Sequence, residues 1–143
     1  MSTEANKALV RRYWDEFWNA QRAEVADELF LPEQAARERR FAAALHPACP
    51  DGRATVETMV AEGDWVATRY TWHATHTGVW AWTAFGVSMG VSPTGATVRE
   101  SGMTFDRIAG GRIVEHRASW DWVGLARQIG ALTLPEPMSP QRA

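Results

Sequence analysis

The hydrophobic period of this chain changes near residue 50, and that change decides what it can fold into. Up to residue 45 apolar residues recur at helical spacing, and beyond residue 52 they alternate. Leu9, Val10, Tyr13, Trp14, Phe17 and Trp18 form one broad apolar face, with Lys7, Arg11, Arg12, Asp15, Glu16 and Asn19 opposite. This predicts a helix over 4–20, capped by Thr3. A short second helix is predicted over 22–31, with Val25, Leu29 and Phe30 inward. Pro32 suits the first turn of a third, which runs to about Leu45 and carries Arg37, Arg39 and Arg40 on a solvated face. His46-Pro47 and Pro50-Asp51-Gly52 break the chain. Strands follow over 53–61, 65–77, 97–108 and 112–120, turned by Glu62-Gly63-Asp64 and Ala109-Gly110-Gly111. Asp121 opens a last helix that Gly130 ends. Helices first, antiparallel strands after and a closing helix predict an α+β fold, a curved antiparallel sheet with the N-terminal helices packed over its concave face. One domain is expected over 1–134, with a flexible, proline-containing tail over 135–143.

Composition excludes several classes of function. The 143 residues carry a formal net charge of -2 and no clustered basic face, so nucleic acid is not the expected partner. No apolar run is long enough to span a membrane, and the charged, amphipathic start does not read as a signal peptide. The single cysteine, Cys49, excludes an internal disulfide and suits a cytoplasmic protein. Standing before Pro50, it reads as a small helix-end residue rather than a nucleophile.

The tryptophans are unusual. There are eight, and a domain this small cannot easily hide eight indoles whose N–H groups each need a partner, so some should line a cavity or an interface. The segment GVWAWTAFGVSMGVSPTG, 78–95, concentrates Trp80, Trp82, Phe85 and Met89 among glycines. If the preceding strand continued, Trp80 and Trp82 would share a face, and Gly86 and Gly90 would allow bends. Two readings stand: a lid or wall of a pocket, or a dimer interface.

Three stretches carry a resemblance. NKALVRRYWDEFWN, VAEGDWVATRYTWHATHTG and SPTGATVRESGMTFDRIAGGRIVEHRASWDWVGLARQIGAL together resemble the SnoaL-like polyketide cyclase family, of the nuclear-transport-factor-2-like superfamily, and cover about half of the chain. The resemblance implies a cone-shaped fold with a deep apolar pocket, and a homodimer. Implied too is a cofactor-independent cyclase or isomerase acting on a hydrophobic, polyketide-like small molecule. The sequence departs from the family's pattern in three places. A further stretch rich in His, Asp and Pro between the second and third helices is absent. The loop between THTG and SPTG is longer, and it is the aromatic segment. Characterised anthracycline cyclases place an Asp directly after a His-Arg pair, with a His on the neighbouring strand; here Ala118 and Thr104 stand at those positions.

His116 is the best candidate base. It shares a strand face with Val114, Ala118 and Trp120, which the resemblance makes the pocket face; the alternative is a histidine at a sheet edge or dimer contact. Its neighbour across the Gly110-Gly111 turn is Phe105 if the turn has two residues and Thr104 if it has three, and the sequence leaves both open. Asp121 is the N-cap of the last helix or a catalytic partner, and both roles are compatible if its side chain lies at the pocket rim. Tyr13, Trp14 and Trp18 would give the pocket a flat apolar wall. Tyr70 and Trp72 share a face of the second strand, while His73, on the opposite face, is a weaker pocket candidate. His73 and His76 cannot form a same-face metal pair, and no other cluster has zinc-like spacing, so neither metal nor cofactor is expected. Nucleotide-binding glycine motifs are absent. The rival functions are a binding module for an apolar metabolite, and an epoxide-opening hydrolase for which Arg69 and Asp121 do not supply an obvious water-activating set.

Overall fold

The computed structural model describes residues 2–84, 87–133 and 135, and within that range it leaves out the side chains of Trp82, Ala84, Val87 and Met89. Phe85 and nearly all of the expected tail lie outside the described residues. Helix α1, Thr3–Arg12, is capped one residue earlier than expected, with the Ser2 hydroxyl accepting from the Ala5 N–H. The predicted helix then widens into a π-helical stretch over Tyr13–Asn19. Its i→i+5 closure, Ala20 N–H to the Asp15 carbonyl at 2.9 Å, gathers Tyr13, Trp14, Phe17 and Trp18 on the buried side. Asn19 ends it and doubles as a strand partner: its amide donates to the Ala54 carbonyl at 2.9 Å and accepts the Ala54 N–H at 2.7 Å. The helical segment is thereby pinned to the first residues of the sheet.

A 3₁₀ turn, Ala23–Val25, leads into α2, Ala26–Leu29, which buries Leu29 and Phe30 as expected. Helix α3 runs Pro32–Ala48, past the expected stop at His46-Pro47. A proline this close to the end removes one backbone bond, and the Cys49 N–H still reaches the Leu45 carbonyl at 2.9 Å. Cys49 closes the helix as a buried residue, and burial pushes its thiol up to about 11, away from the reactive thiolate. The Ala48 carbonyl accepts two further bonds, from the Thr77 and Gly78 N–H groups at 3.0 Å each. Gly78 must lack a side chain there, because a Cβ would stand 2.0 Å from the Pro47 carbonyl oxygen.

The main sheet is antiparallel, in the order β1 (Arg53–Glu62), β2 (Trp65–Thr75), β5 (Thr97–Ala109), β6 (Arg112–Trp120). The aromatic segment forms a separate two-stranded ribbon, β3 (Trp80–Ala84) with β4 (Val87–Val91), rather than an irregular loop. Alternation on β2 is as expected: Val66, Thr68, Tyr70, Trp72 and Ala74 point inward. On β5 the inward set is Val98, Glu100, Gly102, Thr104, Asp106 and Ile108. Bulges interrupt the pairing between Val56 and Thr58 and between Arg107 and Ile108, and such bulges bend a sheet. The helices pack against the inward face, where Tyr13 stacks on Phe17 at 5.4 Å and meets Phe30 edge-on at 5.3 Å. Each such pair contributes about 0.5–1.5 kcal/mol beyond its buried area. Helix α4, Trp122–Gln128, closes one end. Among the described residues no helix is long and apolar enough to cross a membrane.

Candidate active site

Between the helices and the inward face of the sheet lies a cavity of about 360 Å³. Its walls are aromatic, as expected, but its two ends are not apolar. The first end is built on the β5–β6 hairpin. Ala109 pairs with Arg112, so the turn has two residues, yet Phe105 does not face His116. Val114 is bulged out, the register slips by one, and Asp106 stands opposite His116. The buried Asp106 carboxylate meets His116 Nδ1 at 2.5 Å through Oδ1, and its Oδ2 accepts from the Thr104 hydroxyl at 3.0 Å.

The other imidazole nitrogen, Nε2, lies 4.0 Å from Glu38 Oε1. Glu38 comes from α3, where Gln34, Arg37, Glu38, Phe41 and Leu45 form a helical stripe along the cavity. Its carboxylate accepts the Tyr13 hydroxyl at 2.7 Å and the Gln34 amide at 2.7 Å. Burial pulls the His116 pKa down, but the hydrogen bond and charge of Asp106, helped by the charge of Glu38, outweigh it; the net result lies above the ordinary imidazole value, with Arg37 opposing. Burial, then the Glu38 charge, raises the Tyr13 phenol well above its usual range, so it stays a donor. Tyr13 and Phe30 clasp the imidazole edge-on at 5.3 and 5.6 Å.

The second end holds Glu100. It lies beside Trp72 across β2, and its Oε1 accepts the Asp121 N–H at 3.2 Å. Burial pushes its carboxyl up to about 7, and the Asp121 N–H and the Tyr70 hydroxyl offset this only in part. Burial and the neighbouring Glu100 also raise the Tyr70 phenol above its usual range.

The expected pocket residues divide. Tyr13, Trp14, Trp18, Tyr70, Trp72, Trp80, Thr104, His116, Ala118 and Trp120 line the cavity. Thr104 and Ala118 are direct cross-strand partners, so the two positions where the family's acid–base pair was expected do face each other here, without titratable groups. His73 does not line the cavity: it is exposed on the opposite face of β2, as strand parity requires. Asp121 is exposed and is the N-cap of α4, its Oδ1 accepting the Gly124 N–H at 2.8 Å; its backbone, not its carboxylate, reaches the site. The ribbon brings Trp80 to the cavity wall, whereas the side chains of Trp82 and Met89, like Phe85, lie outside the description. Arg37 is exposed, as expected, and also lines the cavity. Among the described residues no group of His, Cys, Asp and Glu is placed to hold a metal ion.

Glu38, Glu100 and Asp106 were missed as site residues. Each carried a signal. Glu38 is a charge on the buried stripe Ala35, Ala42, Leu45, and Glu100 and Asp106 share strand parity with Val98 and Ile108.

AclR of Streptomyces galilaeus, a candidate hydroxylase, is 25% identical and superposes with a TM-score of 0.77 over 94% of this chain and 87% of its own. A SnoaL-like protein of Jannaschia sp. CCS1 is 24% identical, with a TM-score of 0.73 over 92% and 95% of the two chains. IdmH of Streptomyces antibioticus, a candidate polyketide cyclase, is 26% identical, with a TM-score of 0.67 over 87% and 98%. No curated protein matches in sequence. The sequence profile of the SnoaL-like polyketide cyclases matches residues 8–129, and the chain belongs to that family.

Proposed function

We propose that this protein is a cofactor-independent cyclase or isomerase that removes a proton next to a carbonyl of a hydrophobic, polyketide-like molecule. The observation that carries this reading is the His116–Asp106 pair at 2.5 Å beside the cavity. Asp106 accepts the Nδ1 proton, which leaves the lone pair on Nε2 to take a proton from carbon. The resulting enolate attacks a second carbonyl in a cyclisation, or is reprotonated elsewhere in an isomerisation, and His116 returns the proton, so no atom is gained or lost. The Glu38 carboxylate near Nε2 favours the imidazolium that forms. The tryptophans supply flat apolar walls for a ring system. Thr104 and Ala118 leave the family's usual acid–base positions empty, and the dyad lies one cross-strand pair further along the inward face.

A His116→Ala variant should convert polyketide-like test substrates about 10²-fold more slowly or worse, measured by product chromatography. Unchanged conversion removes His116 from the mechanism. The empty family positions support a second reading, a carrier that binds an apolar metabolite without chemistry. Saturable tryptophan quenching by polycyclic ketones, with every ligand recovered intact, would favour it.

A further inference from the structure

Glu100 is the buried acid that the proposed proton abstraction leaves unused. It is only 5% exposed, it lines the cavity, and no cation is among the groups that act on it. Burying a carboxylate without a counter-charge is costly, so the group takes up a proton instead. Burial and the Asp121 charge favour the protonated form, and the two donors that reach the carboxyl, the Asp121 N–H and the Tyr70 hydroxyl, oppose it only in part. The Asp121 N–H occupies Oε1, and the Asp121 carboxylate nearby disfavours a second negative charge. From β2 the Tyr70 hydroxyl approaches, and it fits only because Gly102 has no side chain: a Cβ there would lie 2.4 Å from that oxygen. The charged groups of α3 that line the cavity, Arg37 and Glu38, act on His116 at the other end.

Position gives the group its use. Glu100 and Asp106 lie on the same face of β5, separated by roughly 20 Å of strand at the usual rise per residue. Between them the cavity-lining positions of β5 and β6 are Thr104 and Ala118, both small, with Trp72 and Trp120 beside them, while the Tyr70 ring fills the space over Gly102. The cavity is therefore a slot with a low floor and a proton-exchanging group at each end.

We propose that Glu100 is a second ligand-contacting acid of this site: as a neutral carboxylic acid it donates a hydrogen bond to a ketone or quinone oxygen at the end of the ligand remote from His116. This rests on the reading of the cavity as a polycyclic-ketone site and specifies the ligand further. The ligand is a fused-ring molecule with an oxygen acceptor on the edge remote from the reacting carbon. Glu100 holds that oxygen while His116 works at the other end. Once ionised, Glu100 faces the acceptor with an acceptor, and the grip is lost.

The test is a tryptophan-quenching titration with fluorenone, a three-ring ketone with no titratable group, beside fluorene, which lacks the oxygen. Fluorenone should bind about tenfold more weakly at pH 8.5 than at pH 6, through a transition near pH 7, while fluorene should not change. In Glu100→Gln the amide keeps a donor, so fluorenone should bind at the low-pH strength at every pH. In His116→Asn the transition should persist. Fluorenone and fluorene behaving alike, no fluorenone binding at all, or a transition retained in Glu100→Gln would each overturn the proposal. A transition lost only in His116→Asn would move the proton to the dyad, sinking the role of Glu100 but not that of the base. Conversely, full turnover in His116→Ala with the Glu100 profile intact would sink the base alone.

Discussion

Two carboxyl groups stand on one strand face, Asp106 and Glu100, and both are buried. Asp106 has a histidine at 2.5 Å and a threonine hydroxyl at 3.0 Å. Glu100 has a backbone N–H, a tyrosine and no cation. The first carboxyl raises the basicity of its partner; the second has its own proton held on. Depth is thus not what separates an acid from a base within this cavity. The neighbouring side chain decides.

The contrast can be broken most severely at Asp106. Asp106→Asn should lower turnover by about 10²–10⁴-fold, because the tautomer is no longer enforced and the imidazolium loses its counter-charge. The acid limb of the pH–rate profile should also move. With Asp106 removed, burial is left as the chief influence on His116 and lowers its pKa, so the rise in rate should begin at lower pH than in the wild type. A limb that stays in place would mean that Asp106 does not set the basicity of His116.

Gly102→Ala should disturb the other end alone. The new methyl collides with the Tyr70 hydroxyl, a stability loss of about 1–3 kcal/mol by chemical denaturation. Any residual turnover should keep the wild-type acid limb. Glu100→Gln should do the reverse to stability. A carboxyl raised to about 7 in the folded state binds more protons folded than unfolded, so its presence makes stability fall between its ordinary pKa and about 7. The amide lacks that penalty. At pH 8 the variant should gain about 1–2 kcal/mol, discounted for residual hydration, and at pH 4 the gain should vanish. Equal effects at both pH values would show that Glu100 is not held protonated. Smallest of all, Asp121→Ala should lose about 1 kcal/mol of cap energy and leave turnover within a factor of two or so. A large loss of turnover would return the carboxylate of Asp121 to the chemistry.

The fold was legible in the sequence because its two periods are cleanly separated, and the family resemblance came from motifs in the first helix, the β1–β2 hairpin and the last two strands with the closing helix. The site was legible only where parity suffices. Tyr70 and Trp72 follow from counting along β2, and His73 fails by the same count. The partner of His116 could not be counted. The Gly110-Gly111 turn has two residues, which alone would give Phe105, and the bulge at Val114 then adds a step that no residue between Arg112 and His116 announces. Glu38 was hidden differently, as one charge among many in an arginine-rich helix. Its burial depends on Tyr13, 25 residues earlier, and no local pattern carries that contact.

The bulge also bears on how such a site could change over generations. If β6 paired without it, Arg107 would face Val114, and Glu115 rather than His116 would stand opposite Asp106. Two facing carboxyls would then share one proton, and the imidazole would turn toward solvent. What this cavity offers its ligand is set by how many residues the strand spends in reaching Asp106, as much as by which residues they are. Insertions and deletions in the hairpin are therefore a shorter route to new chemistry than substitution of its side chains. The deletion of Val114 is the conservative member of that series, because it straightens the strand while leaving His116 and Asp106 face to face.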